Sequence, residues 1–186
     1  LMLGLPVPDP SDPDYLKLSV MNSLLGGYFS SRITTNIRED KGYTYSPFSQ
    51  ISSRRGDAYW VQNADVSTEV TAPALKEIFF EIDRLRSEAP PQEELAGVQK
   101  YMAGVFVLRN SSRAGIVNQL EFLVRHGLGD DYLSRYVDAV LAVTPAEVQS
   151  MARKHIRPGD MTIVAVGDRK TIADELAPFA ESEPET

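Results

Sequence analysis

The 186-residue chain has no cysteine, only two histidines and one tryptophan, and no apolar stretch approaching the roughly 18–20 residues that span a bilayer. Without cysteine there is no disulfide scaffold, thiolate zinc site or cysteine nucleophile, and the chain suits a reducing or an oxidising compartment equally. No basic segment precedes a short hydrophobic stretch at the start, so neither a membrane span nor a targeting segment is expected in it. Basic residues are also scarce: 19 Lys and Arg against 26 Asp and Glu give a net charge of −7, which disfavours nucleic acid as a partner. The two histidines, His126 and His155, lie 29 residues apart, and neither has a His or Glu four residues away. That excludes a helical zinc motif, and both are expected to be structural residues in the last turns of helices. No Gly-x-Ser-x-Gly elbow and no Ser-x-x-Lys pair is present. Gly26-Gly27 is not followed by Gly-Lys-Ser/Thr, and a helix stop accounts for the pair.

What is there is the composition of one folded domain, 42% hydrophobic and 24% charged, expected over residues 1–180 with its first strand truncated and an acidic tail at 181–186. Leu1–Leu5 reads as that strand, followed by prolines at 6, 8, 10 and 13. Asp12-Pro13 predicts a cap and first helical residue for a helix through Leu18, Met21, Leu24 and Leu25. A second helix is expected from Phe29 to Lys41, closed by Gly42. A hairpin follows, with strands over Tyr43–Ser53 and Ala58–Val70 and Trp60, Ala64, Val66 and Val70 on one face.

Amphipathic helices then begin at a Thr71 cap, at Pro90-Pro91, and at Ser111 or Ser112 with Ile116, Leu120 and Leu123 inward, ending at Gly127. Another runs through Tyr132, Tyr136 and Val140, and Thr144-Pro145-Ala146-Glu147 is a capping box for one more. Met161–Val166, apolar on both faces, reads as an interior strand, and 168–179 as a last short helix. The sum is an α+β fold: a small, mostly antiparallel sheet with helices packed on one face.

Chemistry concentrates between Ser30 and Ser46. Arg38 in a last helical turn and Tyr45 third in the next strand are placed by the corner at Gly42 to share one space. A guanidinium and a phenol can hold a peptide carbonyl and steady a developing oxyanion, but neither generates a nucleophile at neutral pH. The alternative is that Arg38 pairs with Glu39 or Asp40 and Tyr45 merely packs. Residues 28–55 carry a local +3, leaving −10 elsewhere, which would suit peptide or carboxylate binding.

The run Leu24-Leu25-Gly26-Gly27, then Phe29-Ser30-Ser31-Arg32, then Ile37-Arg38-Glu39-Asp40-Lys41-Gly42-Tyr43-Thr44-Tyr45-Ser46 resembles the C-terminal half of the pitrilysin- or insulinase-type zinc peptidases, most of all their bacterial processing-peptidase-like members. The resemblance implies a clamshell of two α+β halves in which the zinc motif belongs to the other half, so that this chain binds no cofactor and zinc sits on the N-terminal partner domain. It implies that Arg38 and Tyr45, seven positions apart, reach a peptide substrate at that zinc, with Tyr43 as a second candidate for substrate binding. The chain would then be inactive in isolation, its partner half lying on the same polypeptide or in a homo- or heterodimer, in the cytoplasm or periplasm of a bacterium. The alternative it implies is a structural or assembly module of the same fold without a peptidase role.

Overall fold

Alternation along three strands sets the layers of the molecule, which the computed structural model describes over residues 1–179. Strands β1 (Met2–Pro6), β2 (Phe48–Arg54), β3 (Asp57–Asn63) and β4 (Thr162–Val164) form one antiparallel sheet in the order β2-β3-β1-β4. Register puts Ile51, Trp60 and Leu5 in one cross-strand row, and Ser49, Gln62, Leu3 and Ile163 in the next row on that face. Leu3, Leu5 and Trp60 are buried there beneath the helices. The opposite face carries the row Phe48, Asn63, Met2 and Val164, of which Phe48, Met2 and Val164 are about half exposed. A period of two with one wet face is what an antiparallel sheet covered on a single side requires.

Helices α1 (Tyr15–Asn22), α2 (Arg32–Thr34), α3 (Thr71–Ser87), α4 (Gln92–Arg109), α5 (Arg113–His126), α6 (Tyr132–Ala142), α7 (Pro145–His155) and α8 (Arg169–Leu176) complete the α+β fold. Two of the expected caps form: Ser112 accepts from the Gly115 N–H, and Thr144 with Glu147 makes a full capping box. Gly127 closes α5 at φ 63°, in the left-handed region. Among the described residues no helix is long and apolar enough to cross a membrane. The tail expected at 181–186 lies outside the described residues, as does residue 180.

Several local expectations are corrected. Asp12 does not cap α1: its carboxylate accepts from the Asp14 N–H in a tight turn, and α1 starts at Tyr15. Asp14 instead binds Lys154 Nζ (2.6 Å) and His155 Nε2 (2.9 Å) on α7, hydrogen bonds that hold its carboxyl below the usual range. His155 is therefore structural, as expected. His126 is buried at the end of α5 against Phe122, but neither ring nitrogen has a partner among the described residues, and burial pushes its pKa down. Helix α5 turns only Leu123 and His126 fully inward, while Ile116 and Leu120 stay about half exposed. Thr71 is not a cap but the first residue of α3, its hydroxyl donating to the carbonyls of Ser67 and Thr68. The strand expected over Met161–Val166 is three residues long and pairs with β1 at one edge of the sheet, so its apolarity serves Ile163 packing inward rather than burial on both faces.

The helix does stop at Gly26-Gly27, as expected, with Tyr28 extended beyond it, but the stop does not use a left-handed glycine. Neither has positive φ; both lie in a π-helical turn, Ser23–Gly27, that prolongs α1 and presses on β2. A Cβ on Gly26 would come within 2.7 Å of Gln62 Oε1 and Ser49 Oγ, and one on Gly27 within 2.7 Å of Asn22 Nδ2. Both glycines thus allow close approach to a buried polar group of side chains in which Asn22 Oδ1 accepts from Ser49 Oγ and Trp60 Nε1, each at 2.8 Å. The same substitution should therefore have opposite signs at two sites. Gly26→Ala is expected to cost about 1–3 kcal/mol through overpacking. Gly97→Ala, at an exposed position of α4 with open space around it, is expected to stabilise by about 0.5–1 kcal/mol, and urea unfolding of the two variants measures both.

Candidate functional site

Ser31, in extended conformation, starts α2, which after three residues widens into a π-helical segment over Thr35–Asp40. The single helix expected from Phe29 to Lys41 is thus shorter and differently wound. Ile33 and Ile37 are fully buried, whereas Arg32 and Asn36, also four apart, point at α3 and α4. Arg32 donates from Nε and Nη2 to the two carboxylate oxygens of Glu94 at 2.7 and 2.8 Å. Burial works against its charge, but the Glu94 hydrogen bonds and charge outweigh that and raise its pKa. Asn36 Nδ2 donates to Glu81 Oε1 (2.9 Å) and Glu77 Oε2 (3.1 Å). The segment closes where Gly42 takes φ 66°, as expected, with the N–H groups of Lys41, Gly42 and Tyr43 on the carbonyls of Asn36, Arg38 and Ile37. Widened helical turns of this kind are frequent at functional sites, because they re-aim side chains without breaking the helix.

Tyr45 does not lie in a strand. Only Thr44 bridges across, to Val66, and its Oγ1 donates to the Asp65 carbonyl at 2.6 Å; β2 begins at Phe48, after Pro47, which has no N–H to give the ladder. Likewise β3 ends at Asn63, and residues expected in it as far as Val70 turn away to enter α3. The loop so formed raises Tyr45 off the sheet, 83% exposed. Tyr43 is half-buried against the core and does not line the groove described next.

Arg38 and Tyr45 meet in a groove of about 390 Å³ between the Gly26-Gly27 turn, the start of β2 and α4. The Arg38 guanidinium carbon lies 4.2 Å from the Phe29 ring centroid and 5.4 Å from that of Tyr45, cation–π distances to both. Arg38 Nη1 also pairs with Glu39 Oε1 at 3.0 Å. Half of the local alternative is therefore realised, since Arg38 has its carboxylate, but Tyr45 packs on little besides that guanidinium. The remaining walls are Phe48 and Tyr101, both nearly half exposed, the latter 5.1 Å from the Tyr28 ring. Sequence reasoning did not single out Phe29, Phe48 or Tyr101. The available signal was an aromatic off the buried stripe of its element, as Tyr101 is off the Leu95, Val98 and Met102 face of α4. Among the described residues no group of three or more His, Cys, Asp or Glu is placed to hold a metal ion.

The family described as peptidase M16 inactive domain matches residues 1–102, a stretch that includes both Arg38 and Tyr45. The chain belongs to this family. Among relatives of the M16 domain, the non-peptidase homolog YmxG of Helicobacter pylori is 26% identical over 84% of this chain and 36% of its own length. An uncharacterized zinc protease of Streptomyces coelicolor is 26% identical over 82% of this chain and 33% of its own length. The chain thus spans about a third of the curated relatives it matches. The crystal structure of a peptidase M16 inactive domain from Pseudomonas fluorescens superimposes with a TM-score of 0.79 at 27% identity, covering 86% of this chain and 38% of that one. The inactive peptidase domain of a putative zinc protease from Bordetella parapertussis shares the fold, with a TM-score of 0.73, 16% identity and coverage of 87% of both chains.

The buried Glu81 carboxylate, which Asn36 anchors, gives a test of how the segment carrying Arg38 is held. In Asn36→Ala, Glu81, whose side chain is 5% exposed, keeps only Arg84 at 3.4 Å. A loss of about 1–3 kcal/mol in urea unfolding is expected, with faster amide exchange at Ile37 and Arg38. Glu39→Gln, on the surface, should stay within about 0.5 kcal/mol of the parent.

Proposed function

We infer that this chain is the half of a zinc peptidase that binds substrate and stabilises the transition state, while a separate zinc-binding half cleaves the bond. The observation that carries this reading is the Arg38 guanidinium lying over the ring of the exposed Tyr45, with its carbon 5.4 Å from the ring centroid, in one groove. An arginine has five N–H donors, and the Glu39 contact occupies only part of the guanidinium. The remaining N–H groups and the Tyr45 O–H form a pair of donors for one peptide carbonyl oxygen. Donors fixed in advance where negative charge develops lower the barrier without reorganising at the moment of reaction.

The described residues do not fit a zinc ion, and bond cleavage is left to the other half, on which zinc is expected. The relatives are about two and a half times the length of this chain, which leaves room for such a half in the same polypeptide; a separate subunit, in a homo- or heterodimer, serves the mechanism equally. Tyr43, turned toward the core, is left without a role in substrate binding.

One observation favours a second reading, a structural module without peptidase role: the Helicobacter relative is described as a non-peptidase homolog. Kinetics separate the two. In the protein assembled with its zinc-binding half, Arg38→Ala and Tyr45→Phe should each lower kcat/KM by about 10²–10³-fold, as loss of an oxyanion donor does. Stability should stay within about 0.5 kcal/mol for the exposed Tyr45. Peptide hydrolysis that is absent from the assembled protein, or unchanged in both variants, would favour the structural module.

A further inference from the structure

Helix α5 is held to the rest of the fold by its last turn. Of its 14 residues only Leu123 and His126 are buried, while Val117, Leu120 and Val124 are each more than half exposed. The chain at both ends permits movement. A turn through Asn110 and the exposed Ser111 and Ser112 precedes α5, and Gly127, in the left-handed region, and Gly129 follow it.

His126 is the unusual half of that anchor. Its side chain is 7% exposed and its ring centroid lies 4.8 Å from that of Phe122, yet neither ring nitrogen has a partner among the described residues. A buried imidazole ordinarily gives its N–H and its lone pair to neighbours, because leaving a buried polar group unpaired costs roughly 1–3 kcal/mol. A proton would add a charge there with no acceptor beside it to receive the new N–H. The charged groups around the ring are few. Asp9, from the connection between β1 and α1, favours a charged ring, while Glu121 and Arg125 of α5 pair with each other. Beyond Phe122 stands Tyr132 of α6, whose phenol burial keeps protonated. Burial outweighs the pull of Asp9, so the imidazole titrates below its ordinary range. Asp9 keeps its own charge in mild acid, because the Ser11 hydroxyl and N–H both donate to its carboxylate.

We propose that His126 is a pH-sensitive latch: as a neutral ring it closes α5 onto the body, and once protonated it releases the helix to swing about the turn at 110–112 and the glycines at 127 and 129. The sign follows from proton counting. In the open form the ring is in water and takes up a proton near pH ~6.5, whereas in the closed form it does so only at lower pH. The closed form therefore loses ground as the pH falls below about 6.5, and the loss levels off once the closed form is protonated too. A helix anchored by a single turn opens at small cost, so a modest change in that balance is visible. Opening parts Phe122 from Tyr132 and bares both rings beside the apolar stripe of α5, a surface the closed form lacks. The latch does not depend on the role given to Arg38 and Tyr45.

Amide hydrogen exchange of the 186-residue chain, corrected for the intrinsic pH dependence of exchange, is the test. Protection of residues 117–126 should fall about three- to tenfold between about pH 7.5 and about pH 5.5, with protection of α3 unchanged. In His126→Phe, which keeps a ring against Phe122 and removes the titrating group, protection of α5 should not vary over that range. A second measurement needs no variant: the ring protons of His126 should titrate in NMR spectra with a midpoint below about 6.5. Protection of α5 that is independent of pH in the parent, an equal fall in His126→Phe, a fall shared by α3, or a His126 midpoint at or above about 6.5 would overturn the proposal.

Discussion

The bidentate pair between Arg32 and Glu94 is the contact on which the site depends. The Arg32 side chain is 6% exposed and Glu94 30%, so one charge is almost wholly withdrawn from water and the other partly retains it. Such a pair contributes little net stability compared with apolar packing, because desolvation offsets most of the attraction, but breaking it strands a buried charge at about 3–5 kcal/mol. Its effect is positional: α2 cannot slide or rotate against α4 without separating both hydrogen bonds. Four residues on, Asn36 fixes the same face to Glu77 and Glu81 of α3. Ile33 and Ile37 bury the adjoining face, and Arg38, its side chain 22% exposed, comes to lie at the surface beside the exposed Glu39.

The same logic operates on the opposite wall of the groove. Asn22, Ser49 and Trp60 share a buried hydrogen-bond cluster that draws the Gly26-Gly27 turn onto the sheet, and only glycine permits that approach. Two rigid polar anchorages, one under α2 and one under the glycine turn, thereby frame a surface whose own residues are exposed and lightly packed. Exposed aromatic rings on a fixed frame are arranged for contact with something outside the chain, and their binding to a ligand costs little reorganisation.

Much of this was legible in the sequence wherever the signal is local. The Thr144–Glu147 box, the Gly42 and Gly127 helix ends, the hairpin and the Arg38–Tyr45 spacing are set by neighbours within a few residues, and all appear in the structure. What the sequence did not disclose depends on distant partners. Gly26-Gly27 reads correctly as a helix stop, but the close approach of Gln62 and Ser49 that also requires glycine at position 26 comes from other strands. The local +3 reads as a cationic surface until Glu77 and Glu94, from other helices, are counted against it. The apolar run at Met161–Val166 reads as an interior strand until its pairing shows a sheet edge, and the widened winding of Thr35–Asp40 has no signature in residue type at all.

Arg38 and Tyr45 are proposed to face the zinc-binding half and to meet the substrate carbonyl there. A crystal structure of the assembled protein with a non-cleavable peptide bound tests this most directly. The expected result is the Tyr45 hydroxyl and an Arg38 N–H within hydrogen-bond distance of one peptide carbonyl. A peptide bound elsewhere, with the Arg38 groove turned to solvent away from the partner half, would contradict it.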